Sequence, residues 1–351
     1  LLPFIHTYHP PFPPPFFWRR IISSKGSILN DDRGSILFYD LHNTTKYKVN
    51  LYIYADEIKK FRNCNGELWM YIGLLLVKAE DREKVLDYLL SKRNEIGYDG
   101  EVHFSELTNY SYANVYAEKT KLAKSWIEYV LSENKTRYIY FYILGLNLSK
   151  IQYQAFGKGK DRARNIYNRF FRSSVLYCLK SFFSEYKNIV VDQIFHDKGH
   201  LDNDELFNWH TIWRIETAEN RISFNSEYIL FIDSDHHKEK KFPEESHLIQ
   251  LTDLILGATS QCLDAKSNKD GCNEIAQTFL PFIERLNDEN RCNNPNSRYD
   301  YFRKCSLSFF PKARLTMKQL DDKWEKLRSG FYRNRSLLLK EKFSPQMKLG
   351  I

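Results

Sequence analysis

Leu51-Tyr52-Ile53-Tyr54-Ala55-Asp56 is an aromatic and aliphatic run that stops on a carboxylate. Short runs of this composition form strands. A second run, Leu68–Val77, follows the polar stretch Arg62-Asn63-Cys64-Asn65-Gly66, so the two read as paired strands. Both faces of the second run are apolar, which makes it a buried central strand. Outward from this pair the periodicity changes. Asp81–Asn94 reads as a short charged helix with Val85, Leu86 and Leu89 inward, and Glu101–Phe104 as a short third strand. Lys119–Leu131 spaces Leu122, Ala123, Trp126, Ile127, Val130 and Leu131 at helical intervals, and Tyr138–Leu146 returns to strand. Asp161–Tyr186 is a long helix, Ile189–Phe195 a strand, and Ile222–Phe224 and Tyr228–Ile232 two short strands. Ser246–Leu263 and Ile275–Leu286 are apolar helices, and a short strand near Cys305 precedes a basic, helix-like tail. Strands interleaved with helices give an α/β fold, a mixed sheet flanked by helices with a C-terminal helical extension.

The chain has 351 residues, 42% hydrophobic and 15% aromatic, enough for a substantial core, which excludes a wholly disordered protein. No apolar run reaches about 18 residues, so no spanning helix is expected. The six cysteines are scattered with no C-x-x-C pair, against both a zinc knuckle and a disulfide-stapled secreted domain; a reduced, cytoplasmic setting is expected. The Pro-rich stretch Pro10-Pro11-Phe12-Pro13-Pro14-Pro15 sets residues 1–50 apart as a flexible arm or upstream sequence, with no signal-peptide pattern. The core is then 51–265, and 266–351 the helical extension with its basic tail. The net charge of +8 is uneven: residues 311–351 carry 11 Lys/Arg against 4 Asp/Glu, whereas 51–310 is slightly acidic. A basic end on a near-neutral body points to contact with polyanions there, or to a solvated basic helix.

Four acidic positions stand out. Asp56, with Glu57 beside it, ends an apolar strand, and carboxylates at strand ends of open α/β sheets often line a site. In Glu101-Val102-His103-Phe104, alternation puts Glu101 and His103 on one face. Asp197 lies just past the strand Ile189–Phe195, and Asp192 within that strand is its rival. Asp253 is the strongest clue. Its helix, Leu248-Ile249-Gln250-Leu251-Thr252-Asp253-Leu254-Ile255-Leu256-Gly257-Ala258, is apolar nearly all round. A lone carboxylate in such a helix is costly to bury without a metal or a buried Arg or Lys. Gly257, one turn on, leaves room for close approach by backbone or substrate.

Acids gathered from strand ends and a helix repel one another unless a cation neutralises them, and hard oxygen ligands select Mg²⁺ or Mn²⁺. Two such ions about 4 Å apart are suited to phosphodiester cleavage. His103, His196, His200, His236, His237 and His247 lie near these motifs, but none makes an H-E-x-x-H pair. Gly157-Lys158-Gly159-Lys160 lacks the spacing of a phosphate loop.

Tyr54-Ala55-Asp56-Glu57, Glu101-Val102-His103-Phe104, Phe231-Ile232-Asp233-Ser234 and the Leu248–Ala258 helix together resemble the bacterial family catalogued as domain of unknown function 3800. The likeness covers roughly residues 51–263, and the closing helix is its specific part. It departs at Ile58, where the family often has Ser. The resemblance implies a ribonuclease H-like core. It implies Asp56 as first-strand ligand, Glu101 as the acid of the second motif, Asp197 or else Asp192 as the acid after a later strand, and Asp253 as the closing-helix ligand.

The expected function is a nuclease in which Asp56, Glu101, Asp197 and Asp253 hold Mg²⁺ or Mn²⁺ and the basic tail grips DNA or RNA. The expectation from a different class is a non-catalytic nucleic-acid-binding or scaffold module, which the near-neutral body favours.

Overall fold

The structure is a computed structural model that describes residues 46–108, 117–132, 138–156, 158, 161–199, 210–226, 228–288, 304–314 and 330–343. The Pro-rich arm to residue 45, His200 and most of the basic tail lie outside the described residues.

Seven strands form one mixed sheet: β1 (Lys46–Arg62), β2 (Leu68–Lys78), β3 (Ile139–Asn147), β4 (Tyr186–Asp197), β5 (Ile222–Phe224), β6 (Leu230–Ile232) and β7 (Cys305–Phe310). Among the described residues seven helices accompany it: α1 (Arg82–Ile96), α2 (Glu118–Leu131), α3 (Asp161–Phe182), α4 (His210–Ala218), α5 (Pro243–Asp264), α6 (Asp270–Asn287) and α7 (Leu338–Phe343). The strand order is β5-β4-β1-β2-β3-β7, with β6 also pairing β4. β1, β2 and β3 run antiparallel, whereas β4 is parallel to β1, β5 and β6 to β4, and β7 to β3.

Alternation along the strands divides the core in two. Tyr54, Tyr71, Leu75 and Phe195 face a layer made of α1, α2, α5, α6 and α7. Leu51, Ile53, Ala55, Ile194 and Val191 face α3 and α4. The result is an α/β/α sandwich. β2, apolar on both faces, sits between β1 and β3 as its composition requires.

Three expectations change. β1 starts at Lys46 and ends at Arg62, so residues 46–50 belong to the sheet, and Asp56 lies inside the strand rather than at its end. Glu101–Phe104 is not a strand. It is extended chain leading into a 3₁₀ turn, Phe104–Glu106, because its amides are taken by α5: Val102 N–H bonds Gln250 Oε1 at 3.1 Å and Phe104 N–H bonds Asp253 Oδ2 at 2.6 Å. The described part of 266–351 is not an appendage either, since α6 packs on α5 and α2, and β7 completes the sheet edge beside β3.

Among the described residues no helix is long and apolar enough to cross a membrane. Cys64 is exposed, Cys178, Cys262, Cys272 and Cys305 are buried, and all five are free thiols.

Candidate functional site

The parallel pairing of β1 with β4, after a register shift between Leu51 and Tyr52, runs to Ala55↔His196, one residue before β4 ends. Continuing that register sets Asp56 beside Asp197 on strands about 4.8 Å apart. Both follow the alternation of Tyr54 and Phe195, so both face α5. The site therefore forms at the carboxyl end of the parallel strands, where open α/β sheets bind ligands.

α5 supplies the third acid. Pro243 opens it, at a position where a missing N–H costs nothing. From Glu245 to Asp264 every residue is buried except Asp253. A helix packed on all sides thus opens to solvent at one carboxylate. Among the described residues Asp253 has neither the Arg nor the Lys partner that burial would otherwise demand. Its Oδ2 takes His103 Nδ1 at 2.7 Å and the Phe104 amide at 2.6 Å, leaving Oδ1 outside these bonds.

The electrostatics place the acids together. Burial first, then Asp253, Asp197 and Glu57, hold the Asp56 carboxyl well above the usual range. Burial and Asp253 push Asp197 up to about 6, with a smaller contribution from Glu101. Glu101 joins through Ser234, whose hydroxyl bonds Glu101 Oε1 at 2.6 Å and also lies in hydrogen-bonding reach of the Asp197 carboxylate. Asp56, Asp197 and Asp253 are thus within electrostatic reach of one another, and Glu101 is within reach of Asp197. Their rival is not: Asp192 lies about 16 Å back along β4 at strand rise, held by the Asn50 and Asn225 amides at 2.8 and 2.6 Å.

Among the described residues no Lys or Arg pairs with Asp56, Glu101, Asp197 or Asp253; the cationic neighbour is His103, raised to about 9 by its bond to Asp253. The donor set is all oxygen and hard, which fits a divalent cation of the Mg²⁺ type. No three of these acids bring an oxygen each within 4.8 Å of one another, a spread that mutual repulsion favours. Among the described residues the group that does meet that spacing is Asp99, His236 and His237.

Sequence reasoning did not assign roles to the supporting groups. Gln250, one turn before Asp253, takes the Val102 amide on Oε1 and donates Nε2 to Ser234 O at 2.6 Å, so one α5 side chain holds both loops. Ser246 Oγ bonds Asp233 O, and Arg93 NH1 bonds Tyr98 O and Gly100 O. On the other face of the sheet Glu57 lies 3.6 Å from His196 Nε2. His196 Nδ1 donates to Asp197 O at 2.8 Å, so Nε2 accepts from Tyr167 OH at 2.7 Å. Burial lowers His196 to about 4 and raises Glu57 to about 8. Glu57 was visible beside Asp56, and Ser234 sits in a quoted motif; their partners are set by tertiary contact.

No protein-family model matches the chain, and no curated protein does.

Proposed function

We propose that this chain is a divalent-cation-dependent nuclease built on a ribonuclease H-like sheet. The observation that carries the reading is the meeting of Asp56, Asp197 and Asp253, with Glu101 tied in through Ser234, at the carboxyl end of the parallel strands. The β3-β2-β1-β4-β5 order, antiparallel on one side of β1 and parallel on the other, supports the fold assignment. So do the motifs that resemble domain of unknown function 3800.

Asp56, Asp197, Asp253 and Glu101 would hold Mg²⁺ or Mn²⁺, and the spread of their oxygens suits sharing between two ions better than capture of one. When bound, the ions supply activation of water and stabilisation of the leaving oxygen in phosphodiester hydrolysis. The chain's own contribution is preorganisation. The Glu57 amide fixes Asp56 Oδ1 at 2.7 Å, and His103 with the Phe104 amide fixes Asp253 Oδ2. Each carboxylate keeps its second oxygen for a ligand. The bond to Asp253 holds His103 above the ordinary histidine range, which favours positive charge beside the acids. Beyond Asp56, β1 carries Lys59, Lys60 and Arg62 exposed, cations suited to a phosphate backbone.

The test is cleavage of DNA, RNA and hybrid substrates with and without Mg²⁺ or Mn²⁺. Asp197→Asn and Asp253→Asn each lower the rate by about 100- to 1,000-fold, the loss typical of one preorganised charge-stabilising group, whereas Asp192→Asn leaves it unchanged. Binding that depends on the tail, with no cleavage of any substrate and a melting temperature indifferent to both metals, gives the non-catalytic module instead.

A further inference from the structure

Two loops meet beside the carboxylate cluster and carry a second group of donors. Asp99 lies in the loop after α1, and His236 and His237 follow β6. Asp99 Oδ1 is 3.4 Å from His236 Nε2, and Asp99 Oδ2 is 3.3 Å from His237 Nε2. Around a tetrahedral ion with bonds of 2.0–2.1 Å, neighbouring donors stand about 3.4 Å apart. One donor atom from each of the three residues lies within 4.8 Å of the others.

The surroundings fix one donor in place. The His236 ring packs against His237 at 4.1 Å and His247 at 4.5 Å, tilted to both, and its side chain is 11% exposed. Its Nδ1 is buried without a hydrogen-bond partner, so Nε2 is the nitrogen presented to Asp99. His237 Nε2 meets Asp99 O at 2.9 Å, a contact that coordination would replace. Asp99 and His237 are exposed, which gives an ion a route in.

We propose that Asp99, His236 and His237 form a transition-metal site of the Zn²⁺ type that clamps the loop after α1 to the loop after β6. Two imidazoles and a carboxylate select Zn²⁺, Co²⁺ or Ni²⁺ over Mg²⁺, and three protein ligands leave a fourth position to water. The all-carboxylate cluster has the opposite preference, so the two sites differ in hardness as well as in residues. The clamp also has a mechanical consequence. Glu101 lies two residues after Asp99, and Ser234 two residues before His236, and these two form the 2.6 Å bond that joins the acids across the loops. An ion at the second site therefore braces that bond. The inference rests on its own residues and stands or falls separately from the nuclease reading.

The experiment is Zn²⁺ titration of the full chain against a chromophoric chelator, repeated with excess Mg²⁺. The wild type takes up one Zn²⁺ per chain that Mg²⁺ does not displace. Asp99→Asn and His237→Ala, both at exposed positions, weaken uptake by at least about tenfold, the loss seen even when a supporting group of a metal ligand is disturbed. Asp253→Asn retains it. Hydrogen exchange slows with Zn²⁺ at residues 98–103 and 233–237 in the wild type and not in His237→Ala. No uptake by the wild type, uptake unchanged in both Asp99→Asn and His237→Ala, or loss in Asp253→Asn overturns the proposal. Unaltered melting of the His237→Ala protein shows that any loss is of ligand and not of fold.

Discussion

Gly257→Ala tests how the cluster is assembled. Gly257 lies one turn after Asp253 on α5, and a Cβ there would stand closer than 3.0 Å to Cβ, Cγ and Cδ1 of Phe104. These atoms are the root of the side chain, so rotation of the ring does not relieve the overlap. In a helix, Gly→Ala ordinarily stabilises by about 1 kcal/mol. Here overpacking opposes it with about 1–3 kcal/mol. If the loop withdraws instead, the Phe104 amide leaves Asp253, a charge-assisted bond worth about 1.5–3 kcal/mol. Either route outweighs the propensity gain at its upper end, and the net expectation is a loss of up to about 2 kcal/mol. Urea unfolding followed by circular dichroism measures it. Phe104→Ala costs about 3–5 kcal/mol alone by leaving a cavity, but in the double variant the new methyl group occupies part of that space. The two changes therefore couple favourably by more than about 0.5 kcal/mol. Stabilisation by Gly257→Ala, or strict additivity of the pair, refutes the close approach that holds His103 and Glu101 to α5.

The acid cluster makes stability depend on pH in a definite direction. Asp197 is raised to about 6 and Glu57 to about 8, so the folded protein retains protons that the unfolded chain releases. That contribution is fully present below about pH 4, then falls as pH rises through 6 and 8, by roughly 3 kcal/mol for Asp197 on the scale of 1.36 kcal/mol per pKa unit. Saturating Mg²⁺ flattens the slope by neutralising the carboxylates; urea midpoints equally steep with and without Mg²⁺ sink the idea. Away from the site, Arg335 pairs with the buried Asp264 and Tyr71 and lies over the Trp69 ring at 3.7 Å. Arg335→Met strands the Asp264 charge and costs about 3–5 kcal/mol, part of which Asp264→Asn recovers; a cost below about 1 kcal/mol in chemical denaturation contradicts the pairing.

Periodicity is a local property, and what it governs was legible. The inward faces of α1 and α2 are those the spacing indicates, and β2 is central because both its faces are apolar. Asp253 stood out because a charge inside an apolar helix conflicts with its surroundings before any contact is known. Glu101–Phe104 misled because its apolar–polar alternation mimics a strand. Val102 and Phe104 are indeed buried, but their amides bond to side chains of α5 and not to a neighbouring strand. Asp192 and Asp197 could not be separated without register, since the choice turns on where β4 ends beside β1. His103, Ser234 and Gln250 carry no pattern of their own. Their roles come from partners some 130 to 150 positions distant.

Asp56 and Glu57 point to opposite faces of one strand, the first toward α5 and the second toward His196 and Tyr167. Changes in chain length are therefore unequal in effect. Loss of one residue between Tyr52 and Ala55 would advance Glu57 into the place of Asp56, preserving a carboxylate one methylene longer while sending Ile58 to the histidine side. Gain of one residue there would put Ala55 in that place and leave the cluster an acid short. The strand carries its charge in two adjacent frames, and shortening spares what lengthening removes.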